Sequence, residues 1–131
     1  MRMHILAEKD QVFRLFQMAI EEVRPGYARI RMPFLDCMKN GWGALHGGVI
    51  CTIADIAFGA AAQEGQPTFV VSLSSAIEFL RPGKVGPFTG EAKLVRQGNT
   101  ISNFDVQVRD GEGKLIARSM ASGFRTDMPA D

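Results

Sequence analysis

Residues 47–63 read Gly-Gly-Val-Ile-Cys-Thr-Ile-Ala-Asp-Ile-Ala-Phe-Gly-Ala-Ala-Ala-Gln. Val49, Ile50, Ile53, Ala54, Ile56, Ala57, Phe58, Ala60 and Ala61 leave a helix over this stretch with no polar face. A helix apolar on every side has to be wrapped by something else, which makes it the central element of a domain. Gly59 and the alanines are the small residues expected to let surrounding strands come close. The charge-poor part, Gly47 to Ala62, is 16 residues long with Asp55 near its middle. That falls short of the roughly 20 residues needed to cross a bilayer.

Outward from this helix the pattern changes to strands. After Gly65-Gln66-Pro67, the residues Phe69, Val71, Leu73, Ile77 and Phe79 share one parity, with Ser72, Ser74, Ala76 and Glu78 on the other. Three more strands are expected at about 88–96, 101–109 and 115–124, separated by Gln97-Gly98-Asn99 and Asp110-Gly111-Glu112-Gly113. They read as an antiparallel meander. Upstream, Asp10 can cap an amphipathic helix whose apolar face is Val12, Phe13, Phe16, Ala19 and Ile20. Pro25-Gly26 then turns a hairpin between residues 20–23 and Tyr27 to Met32, and an irregular loop from Pro33 to Leu45 leads into His46-Gly47-Gly48. The class is therefore α+β, a long central helix against one curved antiparallel sheet.

The whole chain, residues 1–131, reads as one domain, with 46% hydrophobic and 22% charged residues. Such a length buries roughly two-thirds of its unfolded surface without staples. A net charge of +1 provides no field for nucleic acid or an anionic membrane, so neither is expected as a partner. Two cysteines, Cys37 and Cys51, and two histidines, His4 and His46, make neither a disulfide framework nor a four-ligand zinc site. No metal is expected. Met1 to Asp10 lacks an apolar run behind a basic start, so a cytoplasmic location with free thiols is expected. The residues after Arg125 read as a short polar tail.

Asp55 is the only charge in the central helix. An ionised carboxylate in apolar surroundings costs several kcal/mol unless it is paired or reaches a polar cavity. Burial of that kind poises a carboxylate for base chemistry. The alternative is a carboxylate that only bonds a nearby N–H or a partner chain. The approach, Asn40-Gly41-Trp42-Gly43-Ala44-Leu45-His46-Gly47-Gly48, exposes backbone N–H groups at the positive end of the helix dipole, which suits a polarised carbonyl or oxyanion. Asn40 can add a side-chain donor, although Asn-Gly and Gly-Gly are also plain turn signals. His46 and Asp55 are nine residues apart, about 13.5 Å of rise and roughly 180° of rotation on an α-helix. They cannot share a site within one chain. If both are functional, the helix start of one subunit faces Asp55 of another in a two-fold dimer.

The run from Asn40 to Asp55, N-G-W-G-A-L-H-G-G-V-I-C-T-I-A-D, resembles the signature of the hotdog-fold acyl-CoA thioesterases of the phenylacetate-degradation (PaaI-like) family. The similarity continues through V-V-S-L-S-S-A-I-E-F-L-R-P-G, Val70 to Gly83, and the strand order covers nearly the whole chain. It implies a hotdog fold and subunits that pair into homodimers and often again into homotetramers. It also implies Asp55 as general base or nucleophile on the thioester carbonyl, and Gly47 N–H with the Asn40 side chain polarising the carbonyl oxygen. Ser72 is implied to help Asp55 hold water, with Ser74 or Ser75 as alternates, and His46 to touch the sulfur or shape the loop. No cofactor is implied beyond the coenzyme A of the substrate, because a thioester needs only a base, a water and an oxyanion site.

Around this core, Gly48 is a further candidate for substrate contact, and Arg81, Lys84 and Arg96 for the CoA phosphates. Cys51, one turn before Asp55, reads as a small core residue, and Cys37 as an ordinary loop residue. Trp42 and Met38 either line the acyl pocket or pack the loop. The competing functions are a non-catalytic acyl-CoA-binding module, to which a buried carboxylate gives nothing, and a hotdog acyl-thioester dehydratase or hydratase, which places its His and carboxylate differently.

Overall fold

The structure, a computed structural model, describes residues 7–130. His4, the first residues of the segment read for a leader, and Asp131 lie outside the described residues. Six strands form one antiparallel sheet in the order β1-β2-β4-β5-β6-β3. They are β1 (Ala19–Arg24), β2 (Tyr27–Met32), β3 (Thr68–Phe79), β4 (Phe88–Gln97), β5 (Ile101–Arg109) and β6 (Leu115–Pro129). A short helix α1 (Gln11–Leu15) precedes them, and the long helix α2 (Gly47–Gln63) lies across β4, β2, β5 and β3. This is the α+β hotdog arrangement, a helix held in a sheet.

The sheet differs from a simple meander. β4, β5 and β6 are consecutive neighbours, but β3 pairs with β6 at the far edge, while β2 takes the place beside β4. The Pro- and Gly-containing connection 80–87 is too long for a tight hairpin, so β3 and β4 end on opposite sides of the meander. β6 also runs past Arg125 to Pro129. Thr126 Oγ1 donates to the Phe69 carbonyl at 2.8 Å and Ala130 N–H to the Pro67 carbonyl at 3.0 Å, so backbone pairing orders the segment read as a tail.

Two local readings are corrected in the same way. Asp10 does cap a helix, its Oδ1 accepting from the Val12 and Phe13 amides, but the helix ends by Phe16 because Gln17 takes a left-handed φ of 56°. Ala19 and Ile20 belong to β1 instead. In β3 a register shift between Ser72 and Ser74 reverses the alternation, so Val70 before it and Ile77 after it pack on the core while Val71 and Leu73 stand 47% and 58% exposed; Phe79, of the same parity as Ile77, is 54% exposed at the strand end, with its ring beside Gly47.

The core is built where the sheet crosses α2. Ile53, Ala57 and Phe58 are buried against Ile30, Phe88, Phe104 and Ile116, with the Phe58 and Phe104 rings edge to face at 5.3 Å. Close approach comes from the strands: a Cβ at Gly90 would lie 3.0 Å from Ile53 Cγ1, and one at Gly123 3.0 Å from Phe58 Cζ. Gly59 is not part of this packing; a Cβ there meets nothing within 4 Å. A single chain also does not wrap its helix completely. Gly48, Cys51 and Asp55 form an exposed stripe on α2, with Thr52 half-buried beside them. Among the described residues no helix is long and apolar enough to cross a membrane.

Candidate active site

The loop into α2 is organised by Asn40. Its side-chain Oδ1 accepts from the Trp42 amide at 2.9 Å and the Ala44 amide at 3.1 Å, and its carbonyl accepts from Gly43 N–H at 3.0 Å. Gly43 supplies the positive φ of 78° that this turn requires. The acceptor end of the amide is thus fixed in the loop, which leaves the Nδ2 donors to face outward. Met38 is fully buried and anchors the loop, whereas Trp42 stands 84% exposed at its tip.

At the helix start, His46 is the N-cap. Its Nδ1 accepts from Gly48 N–H at 3.0 Å, and its carbonyl accepts from the Val49 and Ile50 amides. The imidazole therefore shapes the helix start through Nδ1, and the Gly48 amide is engaged within the chain. Among the described residues no acceptor takes the Gly47 amide. It opens on a groove of about 410 Å³ lined by Asn40, Leu45, Gly47, Phe79 and Arg81 among others. Helix dipole, an unpaired N–H and a nearby amide side chain together make a site for a partly negative oxygen. Arg81 shares this groove; Lys84 does not line it, and Arg96 lies beside Gly98 in the β4–β5 turn.

Asp55 lies a little over two turns further along α2, at a different pair of grooves. One, of about 350 Å³, is lined by Asp10, Val12, Cys51, Thr52, Asp55 and Ile56. The other, of about 240 Å³, is lined by Asp55, Ile56, Gly59, Phe69 and Val70 among others, with Asp10 on its rim. The carboxylate is exposed, so its own chain does not supply the burial expected from the surrounding sequence. Ser72 Oγ donates to Asp55 Oδ1 at 2.8 Å. Of the three candidate serines this is the one that meets Asp55, since Ser75 bonds Ser119 at 2.6 Å and Ser74 pairs with Ser122 in the sheet. Cys51 is exposed beside Asp55 and not a core residue, because it falls on the stripe of α2 that the sheet does not cover; Cys37 is exposed too.

Gln63 is the residue that sequence reasoning missed. It is buried at the end of α2, donates from Nε2 to the Thr68 carbonyl at 2.9 Å, and accepts from Val70 N–H at 2.9 Å. This clamp ties the helix to β3 two residues before Ser72 and so sets where the hydroxyl meets Asp55. A lone amide side chain closing an apolar helix was the available signal. Within one chain, then, Asn40 and Gly47 come together in one place and Asp55 and Ser72 in another.

The model of the thioesterase superfamily matches residues 43–117. The acyl-coenzyme A thioesterase PaaI of Escherichia coli is 30% identical over 115 residues, 87% of this chain and 81% of that protein. A Saccharolobus solfataricus protein named "Putative esterase SSO2140" is 31% identical over 121 residues, 92% of this chain and 86% of its own length. The structure of the E. coli PaaI protein from the phenylacetic acid degradation operon superimposes with a TM-score of 0.90 at 28% identity, covering 96% of this chain and 91% of that one.

Proposed function

This chain belongs to the thioesterase superfamily and is a thioester hydrolase, and from that premise we propose that it hydrolyses an acyl-CoA thioester to free acid and CoA as a homodimer with two composite sites. The observation that carries the proposal is the separation of two half-sites on one helix. Gly47 and Asn40 offer donors for a carbonyl oxygen in one groove, and Asp55 with Ser72 offers a held carboxylate in another. A two-fold axis that sets the start of one α2 against Asp55 of its mate brings the halves together twice. The exposed β3 edge supports this pairing: it is 12 residues long and leaves Val71 and Leu73 exposed. An unpaired apolar edge of that length is a template for a second strand. A further pairing of dimers into a tetramer is part of the same proposal.

In this arrangement the thioester oxygen accepts from Gly47 N–H and Asn40 Nδ2 of one protomer. Asp55 of the other takes a proton from water as it attacks the carbonyl carbon, and Ser72 holds the carboxylate on its Oδ1 side. The tetrahedral oxyanion collapses, the C–S bond breaks, and the CoA thiolate leaves with the proton returned from Asp55. Direct attack by Asp55 is the nucleophilic variant; in a single turnover in heavy-oxygen water, label found in the Asp55 carboxylate identifies it, since base catalysis labels only the product acid. Arg81, and Lys84 beyond it, meet the CoA phosphates. No metal or further cofactor is required.

The test is free-thiol release from a panel of short, medium, long and aryl acyl-CoAs by the wild type, Asp55→Asn and Asp55→Ala. The expected outcome is hydrolysis by the wild type and a loss of about 10²-fold or more in both variants. Equal rates in wild type and variants overturn the role of Asp55, and binding without turnover of any acyl-CoA identifies a binding module instead.

A further inference from the structure

β3 turns two side chains toward α2 that simple alternation would put on opposite faces. Ser72 and Phe79 are seven residues apart, an odd separation, so an unbroken strand would point one of them away from the helix. Their partners on β6, Gly123 and Ala117, are six residues apart and both buried, which places Ser72 and Phe79 on the same side of the sheet. The register shift between Ser72 and Ser74, with Leu73 as the extra residue, reconciles the two. Ser72 meets Asp55 at 2.8 Å. Phe79 meets the other end of α2, its Cε1 and Cζ lying 3.5 and 3.6 Å from where a Cβ of Gly47 would stand. The chain after it is fixed on both sides, since Leu80 N–H donates to the Ile116 carbonyl at 2.8 Å and Leu45 N–H to the Gly83 carbonyl at 2.7 Å. Core packing does not account for this ring, because Phe79 is more than half exposed and lies outside the hydrophobic cluster.

We propose that Phe79 is a positioning residue for the thioester carbonyl: its ring walls the Gly47 amide from bulk water and thereby strengthens the hydrogen bond from that amide to the carbonyl oxygen. The inference rests on the acyl-CoA thioesterase reading above. The Gly47 amide has no acceptor among the described residues, and Phe79 lines the groove on which it opens, together with Asn40 and Arg81. A donor in open water exchanges one hydrogen bond for another when it takes up a ligand oxygen, so its net gain is small. Beside an apolar ring the same donor works in a lower dielectric and gives up less water. That gain grows as negative charge develops on the oxygen, so it falls on kcat more than on KM. The register shift thus lets one strand serve both half-sites, with a hydroxyl for the carboxylate and a ring for the amide. The two-fold pairing that sets the start of one α2 against Asp55 of its mate also brings Phe79 toward the mate's Ser72, and closes the open side of the ring.

The test measures kcat and KM on the best acyl-CoA in wild type, Phe79→Ala, Phe79→Leu and Phe79→Tyr, with the hydrogen-exchange rate of the Gly47 amide followed by NMR on the ligand-free proteins. Phe79→Ala is expected to lose about tenfold or more in kcat with KM little changed. Its Gly47 amide is expected to exchange about tenfold faster or more, while amides of β4 and β5 keep their wild-type rates. Phe79→Tyr, which keeps the ring, recovers most of the rate and of the protection, and Phe79→Leu falls between. A wild-type kcat in Phe79→Ala, or a Gly47 amide that exchanges no faster there, overturns the proposal. So does dissociation of Phe79→Ala into monomers on sedimentation, which would assign the ring to the contact between subunits. A wild type inactive on every acyl-CoA removes the thioesterase reading alone, because the exchange rate of the Gly47 amide still decides whether the ring shields it.

Discussion

The Ser72 hydroxyl donates to Asp55 Oδ1 at 2.8 Å, joining the second residue past the Val70 backbone clamp in β3 to the exposed stripe of α2. The bond fixes one oxygen of the carboxylate and leaves the other facing solvent-accessible space. Ser72→Ala is expected to lower kcat by about tenfold, the equivalent of about 1.4 kcal/mol, with a much smaller change in KM. Steady-state kinetics on the best acyl-CoA checks this, and Ser72→Thr, which keeps the hydroxyl, restores part of the rate.

Gln63 acts on the same pair from a distance. Gln63→Leu leaves the Thr68 carbonyl and the Val70 amide without their partner. The variant is expected to unfold about 1–3 kcal/mol more easily, read as a lower denaturant midpoint. Because β3 also loses its tether, kcat falls along with stability in assays at a temperature where the variant is folded.

Asn40 has two ends with separate duties, and two substitutions separate them. Asn40→Asp keeps the acceptor that holds the Trp42 and Ala44 amides but removes the Nδ2 donor. It is expected to stay within about 0.5 kcal/mol of wild-type stability while losing about 10²-fold in kcat. Asn40→Ala loses the loop bonds as well and is expected to cost about 1 kcal/mol or more in thermal or denaturant unfolding.

Two glycine-to-alanine changes should differ in sign. Gly90→Ala forces a Cβ to 3.0 Å from Ile53 Cγ1 and 3.2 Å from the Ile53 carbonyl oxygen, a fit expected to cost about 1–3 kcal/mol. Gly59→Ala adds a methyl group to open space and is expected to stabilise by up to about 1 kcal/mol. Thermal melts of the two variants beside wild type measure both.

The elements with strong periodicity were the legible ones. The apolar run of α2 and the alternating strands β2, β4 and β5 are determined by local pattern, and their positions follow from it. Strand neighbours were not legible, because the choice between β2 and β3 as the mate of β4 depends on the length of the 80–87 connection and on packing across the helix. The parity of β3 was lost at the Ser72/Ser74 register shift, which has no signature in a row of serines. Asp55, Ser72, Asn40 and Gly47 were marked by residue type and spacing, whereas the Gln63 clamp depends on which groups face each other after folding. The exposure of Cys51 and Asp55 has a single cause, since one chain covers only part of its own helix.

Subunit mixing tests the shared site most directly. Asp55→Asn and Asn40→Asp protomers, carrying different affinity tags, are co-expressed and the heterodimer is isolated by both tags in turn. Each parent homodimer has two defective sites, whereas the heterodimer has one site with both defects and one with neither. The account predicts that the purified heterodimer regains about half of wild-type kcat, or about a quarter in an unfractionated equal mixture. A verified heterodimer as inactive as its parents would show that Asn40 and Asp55 of the same chain serve the same site, and would contradict the account.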